Sequence, residues 1–248
     1  MSVDIPGAIN AVCTFVVIGI LLVGIFRALE MRRAFVAGAY RSRATWSALL
    51  MLVIIPTQVE SSVNLPETGL LSLVSIIPFL ALVFVIFAYA DQSVLVAIET
   101  DFFHRDTLGW LRARWPVAVF LVCFLAVEVV GAIVLTPAEQ NSLLGDLLNG
   151  VFFFSLVPIL GYVTGALIVG ARRSADQTLR RSILLLGLAI STLVISFVVS
   201  TPFATGSLPY VIVNQGTAVV GIYLIYRSVM ALSPIGKIER EVGSTAPS

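Results

Sequence analysis

The chain alternates long, continuously apolar runs with short stretches rich in charge, Pro, Gly or Asn. Seven runs stand out, approximately Ile9 to Phe26, Thr45 to Val63, Gly69 to Ala90, Pro116 to Thr136, Leu147 to Gly170, Ser182 to Phe203 and Pro209 to Met230. At about 1.5 Å per residue each comes to roughly 27 to 36 Å, enough for a hydrocarbon core of about 30 Å. Lipid satisfies no backbone polar group, so continuous runs of this length predict helices, whereas barrel strands would alternate in ten-residue units. The expected fold class is all-α: a polytopic membrane protein with seven transmembrane helices in one bundle. Residues 1–232 are expected to form that domain and 233–248 a short flexible cytoplasmic tail.

Composition supports the same class. Of the 248 residues 58% are hydrophobic and 12% charged, about half the charge of a soluble globular protein. A net charge of +1 with no basic domain excludes a nucleic-acid partner. The positions of the charges fix an expected orientation. Arg27, Arg32, Arg33, Arg41 and Arg43 lie between runs one and two; Arg105, Arg112 and Arg114 between three and four; Arg172, Arg173, Arg180 and Arg181 between five and six; Arg227, Lys237 and Arg240 at and beyond the end of seven. These account for all 15 Lys and Arg, while the opposite loops carry acids such as Asp4, Glu67, Glu139 and Asp146. The positive-inside rule then places the N-terminus outside and the C-terminus in the cytoplasm of a multi-pass cell-membrane protein. No Lys or Arg precedes the first run, so it reads as a retained helix and not as a cleaved signal peptide.

Run three continues through Asp91 to Ile98, which predicts a helix that projects into the cytoplasm. The connector from Glu99 to Trp115 mixes arginines with Phe102, Phe103, Trp110 and Trp115, a composition suited to the headgroup region. Runs one to three and five to seven share directions. The stretches Arg43 to Pro66 and Arg181 to Pro209 both pass from Arg through an apolar run to a Leu-Pro pair, as a parallel transporter repeat would, although the similarity is generic. Cys13 and Cys123 fall at different depths and are expected to be packing residues and not a disulfide pair.

Ionisable groups at bilayer depth are costly and are therefore the first candidates for function. Glu128 falls near the midplane of run four, and Glu60 in the outer third of run two, one turn after Pro56. Every cation belongs to the opposite half, so these carboxyls need polar partners at similar depth. Asn214 and Gln215 in run seven are the leading ones, with Ser200, Thr201, Asn149, Gln58 and Ser61 nearby in depth. Glu128, Glu60, Asn214 and Gln215 are thus expected to form an outward-facing polar pocket for a proton, a cation or a small neutral ligand; structural glue between helices is the plain alternative. Tyr223, Tyr226 and Arg227 near the inner end of run seven, with Asp91, form a candidate inner gate. Gly161 and Gly165 form a small-xxx-small contact pair.

Several chemistries lack their residues. His104 is the single histidine and lies in a connector, so no cofactor or metal is expected. Lys237, the only lysine, lies beyond run seven, which rules out a retinal Schiff base within the bundle. No nucleotide-binding, nucleophile-elbow or metalloprotease signature occurs, and the chain is not expected to be an enzyme. The function expected from the sequence is a sensor or receptor-like protein, its basic loops available to a cytoplasmic or membrane protein partner. A small proton- or cation-coupled transporter or channel, or an accessory subunit of a membrane complex, is the alternative.

Overall fold

The computed structural model describes residues 5–35, 39–60, 78, 81–89, 161, 163–172, 174, 176–200 and 207–233. Run four with Glu128, the connector 99–115, Asp91 and the tail from 234 lie outside the described residues. Every element among the described residues is helical: α1 (Ile5–Ala34), α2 (Ala39–Glu60), α3 (81–89), α4 (Val163–Arg172), α5 (Gln177–Ser200) and α6 (Leu208–Met230). By length and composition α1, α6 and the Gln177–Ser196 portion of α5 are apolar enough to cross a membrane.

The middle of α1 is apolar on every side, so burial marks which face packs. On α1 the buried positions are Thr14, Val17, Leu21, Gly24, Ala28 and Met31, a stripe at the three-and-four spacing of a helix seam. Phe15 and Phe26, on the opposite faces, are 77% and 72% exposed. Large aromatics standing fully outside a packed stripe are what lipid contact requires and water contact penalises.

α1 and α2 form an antiparallel pair whose turn is marked by the Phe35 and Tyr40 rings, 5.6 Å apart. Gly24 lets Met51 of α2 approach the α1 backbone, since a Cβ there would collide with the Met51 Sδ. α5 and α6 are also antiparallel: Ser182 meets Ser228, Leu193 meets Gly221, and Ser196 meets Asn214, in opposite orders along the two helices. A Cβ at Gly221 would stand 2.7 Å from Leu193 Cδ2 and 3.4 Å from the Ala189 carbonyl oxygen, so glycine is what permits this seam.

α1 and α6, in contrast, run parallel. Asn10 pairs with Gln215 near their starts, and a Cβ at Gly24 would lie 3.6 Å from the Tyr226 ring further along both. The first and last described helices are therefore neighbours, and Ile5 and Leu208 share one end of the bundle. The arginines gather toward the other end, with Arg32 and Arg33 in the last turn of α1, Arg41 and Arg43 at the start of α2, Arg180 and Arg181 at the start of α5 and Arg227 in the last turn of α6.

Three described boundaries depart from the hydropathy runs by five residues or more. α1 continues eight residues past Phe26 because Arg27 and Glu30, paired at 2.9 Å across one turn, sustain a solvated helix beyond the apolar stretch. α2 begins six residues before Thr45, and α5 five residues before Ser182. Among the described residues nothing stands within 4 Å of a Cβ at Gly161 or Gly165, whereas Gly24 and Gly221 make close approaches.

Candidate functional site

Two polar layers stand in the described bundle, one at each end and separated by mostly apolar packing; the layer at the Ile5 and Leu208 end is called outer and the one at the arginine-rich end inner, after the orientation expected from the charges. The outer layer begins on α6, where Ser207 caps the helix and Pro209 enters its first turn. This start places Asn214 and Gln215 about 10 Å into the helix. Successive helical residues point about 100° apart, and the two carboxamides accordingly serve different seams.

Gln215 turns toward α1, where its Nε2 donates to the Asn10 Oδ1. It is 4% exposed, and its Oε1 has no hydrogen-bond partner among the described residues. Asn214 turns toward α5, and its Oδ1 accepts from the Ser196 hydroxyl at 3.5 Å. Thr217 joins the same cluster, its single hydroxyl proton within reach of Ser196 Oγ and of the Val213 and Asn214 carbonyls. Of the four residues expected to line an outer pocket, the structure thus brings Asn214 and Gln215 to one level but divides them between the α5–α6 and α1–α6 seams. Glu60 is the last residue of α2, and its side chain, like all of Glu128, lies outside the described residues, as do Thr201, Asn149, Ser61 and the side chain of Ser200.

The inner layer centres on Arg43, which hydropathy assigns to a loop and which the structure buries in the second turn of α2 at 2% exposure. Its Nε donates to Ser182 Oγ on α5 at 3.0 Å, and Ser182 Oγ donates in turn to the Ser228 carbonyl on α6 at 2.7 Å. The guanidinium lies 4.9 Å from the centre of the Tyr89 ring on α3, and the Tyr89 hydroxyl meets Ser47 Oγ of α2. A desolvated guanidinium is expensive, and the hydrogen bond and the ring face offset part of that cost. The result is a joint through which one side chain holds α2, α3, α5 and, by way of Ser182, α6.

Beside this joint Tyr40 of α2 donates to the Asp176 Oδ2, and the Asp176 Oδ1 accepts the backbone amides of Thr178 and Leu179 at 2.7 and 3.2 Å. Asp176 therefore caps α5 and fastens it to the α1–α2 turn at once. Partial burial works against its charged form, but the hydrogen bonds from Tyr40, Leu179 and Thr178 outweigh it and hold the carboxyl below its ordinary value.

The third feature at the inner end is a cavity of about 400 Å³ between α5 and α6, lined by Arg181, Leu185, Tyr223, Tyr226, Arg227, Met230 and Ala231. Tyr223 and Tyr226 stand with ring centres 6.4 Å apart, and Arg227 donates to the Tyr223 hydroxyl at 3.1 Å. Tyr223 and Arg227 are exposed, and Asp91, the remaining residue of the expected inner gate, lies outside the described residues. No group of His, Cys, Asp and Glu able to hold a metal ion occurs among the described residues.

Sequence reasoning missed Arg43 and Asp176. For Arg43 a signal was available: Tyr40, Arg43 and Ser47 recur at three-and-four spacing, which places the arginine on a face with two polar companions. The chain matches no protein-family model, no curated protein and no solved structure.

Proposed function

We propose that the chain is an integral membrane sensor, with an outward-facing polar layer as its input and the arginine-rich end as its cytoplasmic output. The carrying observation is the apolar stretch between the two layers. From Asn10 and Gln215 inward, α1 buries Thr14, Val17, Leu21, Gly24 and Ala28 and α6 buries Ala218, Gly221, Ile222 and Ile225, of which Thr14 alone is polar. At its inner end Arg43 and Ser182 are buried as well. A conducting protein needs a polar path past its binding site, and this packing favours a closed signalling bundle over one. The unmatched Gln215 Oε1 supports a ligand that donates a hydrogen bond, which suits a protonated carboxyl, a small neutral molecule or a cation. The parallel packing of α1 and α6 fits the odd number of crossings that the proposed seven-span topology requires, and the arginines at one end of the bundle support an N-terminus outside. Glu128 and Glu60 belong to this proposal as the acids of the pocket, and the basic loops as the surface for a protein partner.

The test has two arms. With Cys13 and Cys123 replaced by Ala, Asn10→Cys is expected to react with a membrane-impermeant thiol reagent from the outer side, and the protein in proteoliposomes to carry no proton or sodium flux. Labelling from the inner side alone overturns the outward pocket. A flux abolished by Glu128→Gln replaces the sensor with a coupled transporter.

A further inference from the structure

The inner cavity between α5 and α6 carries a chemistry of its own. Its described lining holds two guanidinium groups, Arg181 from the start of α5 and Arg227 from the end of α6, with two phenols between them and no carboxylate. Arg27 is paired with Glu30, whereas neither Arg181 nor Arg227 meets an acid among the described residues. Arg227 is held in place: it lies 5.9 Å from the centre of the Tyr223 ring and donates to its hydroxyl, which leaves most of its donor fork directed elsewhere. The remaining lining, Leu185, Met230 and Ala231, is apolar. A site with two forked donors at one end and aliphatic walls along the rest matches a phosphodiester joined to hydrocarbon. Its place near the ends of two helices, with tyrosines beside arginines, is where lipid headgroups lie.

We infer that this cavity binds the headgroup of an anionic phospholipid from the arginine-side leaflet, the phosphate between Arg181 and Arg227 and the glycerol backbone against Leu185 and Met230. The inference rests on the membrane-spanning reading above and adds a ligand at the face opposite the proposed sensory pocket. A lipid seated there would bridge α5 and α6 where their arginines otherwise repel, so binding stabilises the α5–α6 pair.

The experiment measures binding of fluorescent phosphatidylglycerol to the purified full-length protein in nonionic detergent at physiological salt, with competition by unlabelled lipids. The wild type is expected to bind phosphatidylglycerol in preference to phosphatidylcholine and to ignore inorganic phosphate. Arg181→Gln with Arg227→Gln is expected to weaken binding by roughly fivefold per arginine. Arg32→Gln with Arg33→Gln removes two charges from the same end outside the cavity and is expected to leave affinity within twofold. Equal losses in the two double variants would reduce the effect to general surface charge and overturn the site. Competition by inorganic phosphate alone would overturn the lipid in favour of a soluble anion. If the membrane-spanning reading itself were wrong, the protein would stay monodisperse without detergent, an outcome distinct from lost selectivity.

Discussion

A single side chain, Arg43, illustrates how a residue's meaning depends on what the rest of the chain brings to it. By hydropathy it is one of a cluster of arginines that mark a cytoplasmic loop; in the bundle it is a buried tie between helices, its Nε on Ser182 and its charge over Tyr89. Hydrogen bonds to charged groups contribute about 1.5–3 kcal/mol, and Ser182→Ala removes one while also depriving the Ser228 carbonyl of its donor. Thermal unfolding in detergent is expected to show a loss of that size. Ser228→Ala keeps the carbonyl and removes only a bond from the side chain to Ile225 of its own helix, so it is expected to cost well under half as much. Equal losses would mean that the arginine joint does not depend on Ser182. The spacing of Tyr40, Arg43 and Ser47 marks a polar face but not its burial, because the partners lie 139 and 46 positions away from Arg43 and from Ser182 respectively. Asn214 and Gln215 were legible as polar residues at depth, but not their separation into two seams, which depends on which neighbour each helical face meets.

At the scale of elements, legibility follows the physics that ends each helix. The last run, Pro209 to Met230, agrees with α6 to one residue because a capping Ser and an early Pro mark its start in the chain itself. α1 outlasts its run because hydropathy reports where lipid ends, whereas a helix ends where its backbone bonds lose their partners. α5 starts early for the same reason, and its cap yields a pH dependence. The Asp176 carboxyl titrates below its unfolded value of about 3.9, so its contribution is complete above that pH and is lost as pH falls through the lower folded value. Asp176→Asn keeps a good capping acceptor and removes the titration. Its melting temperature is therefore expected to fall less steeply than the wild type's between about pH 5 and pH 3. Asp176→Ala removes the cap itself, at about 1 kcal/mol, measured at neutral pH. Parallel slopes for wild type and Asp176→Asn would remove Asp176 from the acid response.

For the whole molecule, the two ends of the bundle have opposite character: carboxamides and hydroxyls at one, guanidinium groups at the other. This polarity was legible from charge counting alone, because the arginines cluster in alternate loops. The number of crossings is a matter for topology mapping. Reporter fusions at the two termini are expected to show activity on opposite sides of the membrane, with the C-terminal fusion active in the cytoplasm; both reporters in one compartment would overturn the seven-span topology. The parallel contact of α1 with α6 has a further consequence for biogenesis. The Asn10–Gln215 bond joins residues 205 positions apart, so this seam waits on the synthesis of everything between them. A chain cut short before Leu208 lacks the bond, and truncation there is expected to leave α1 without its parallel neighbour.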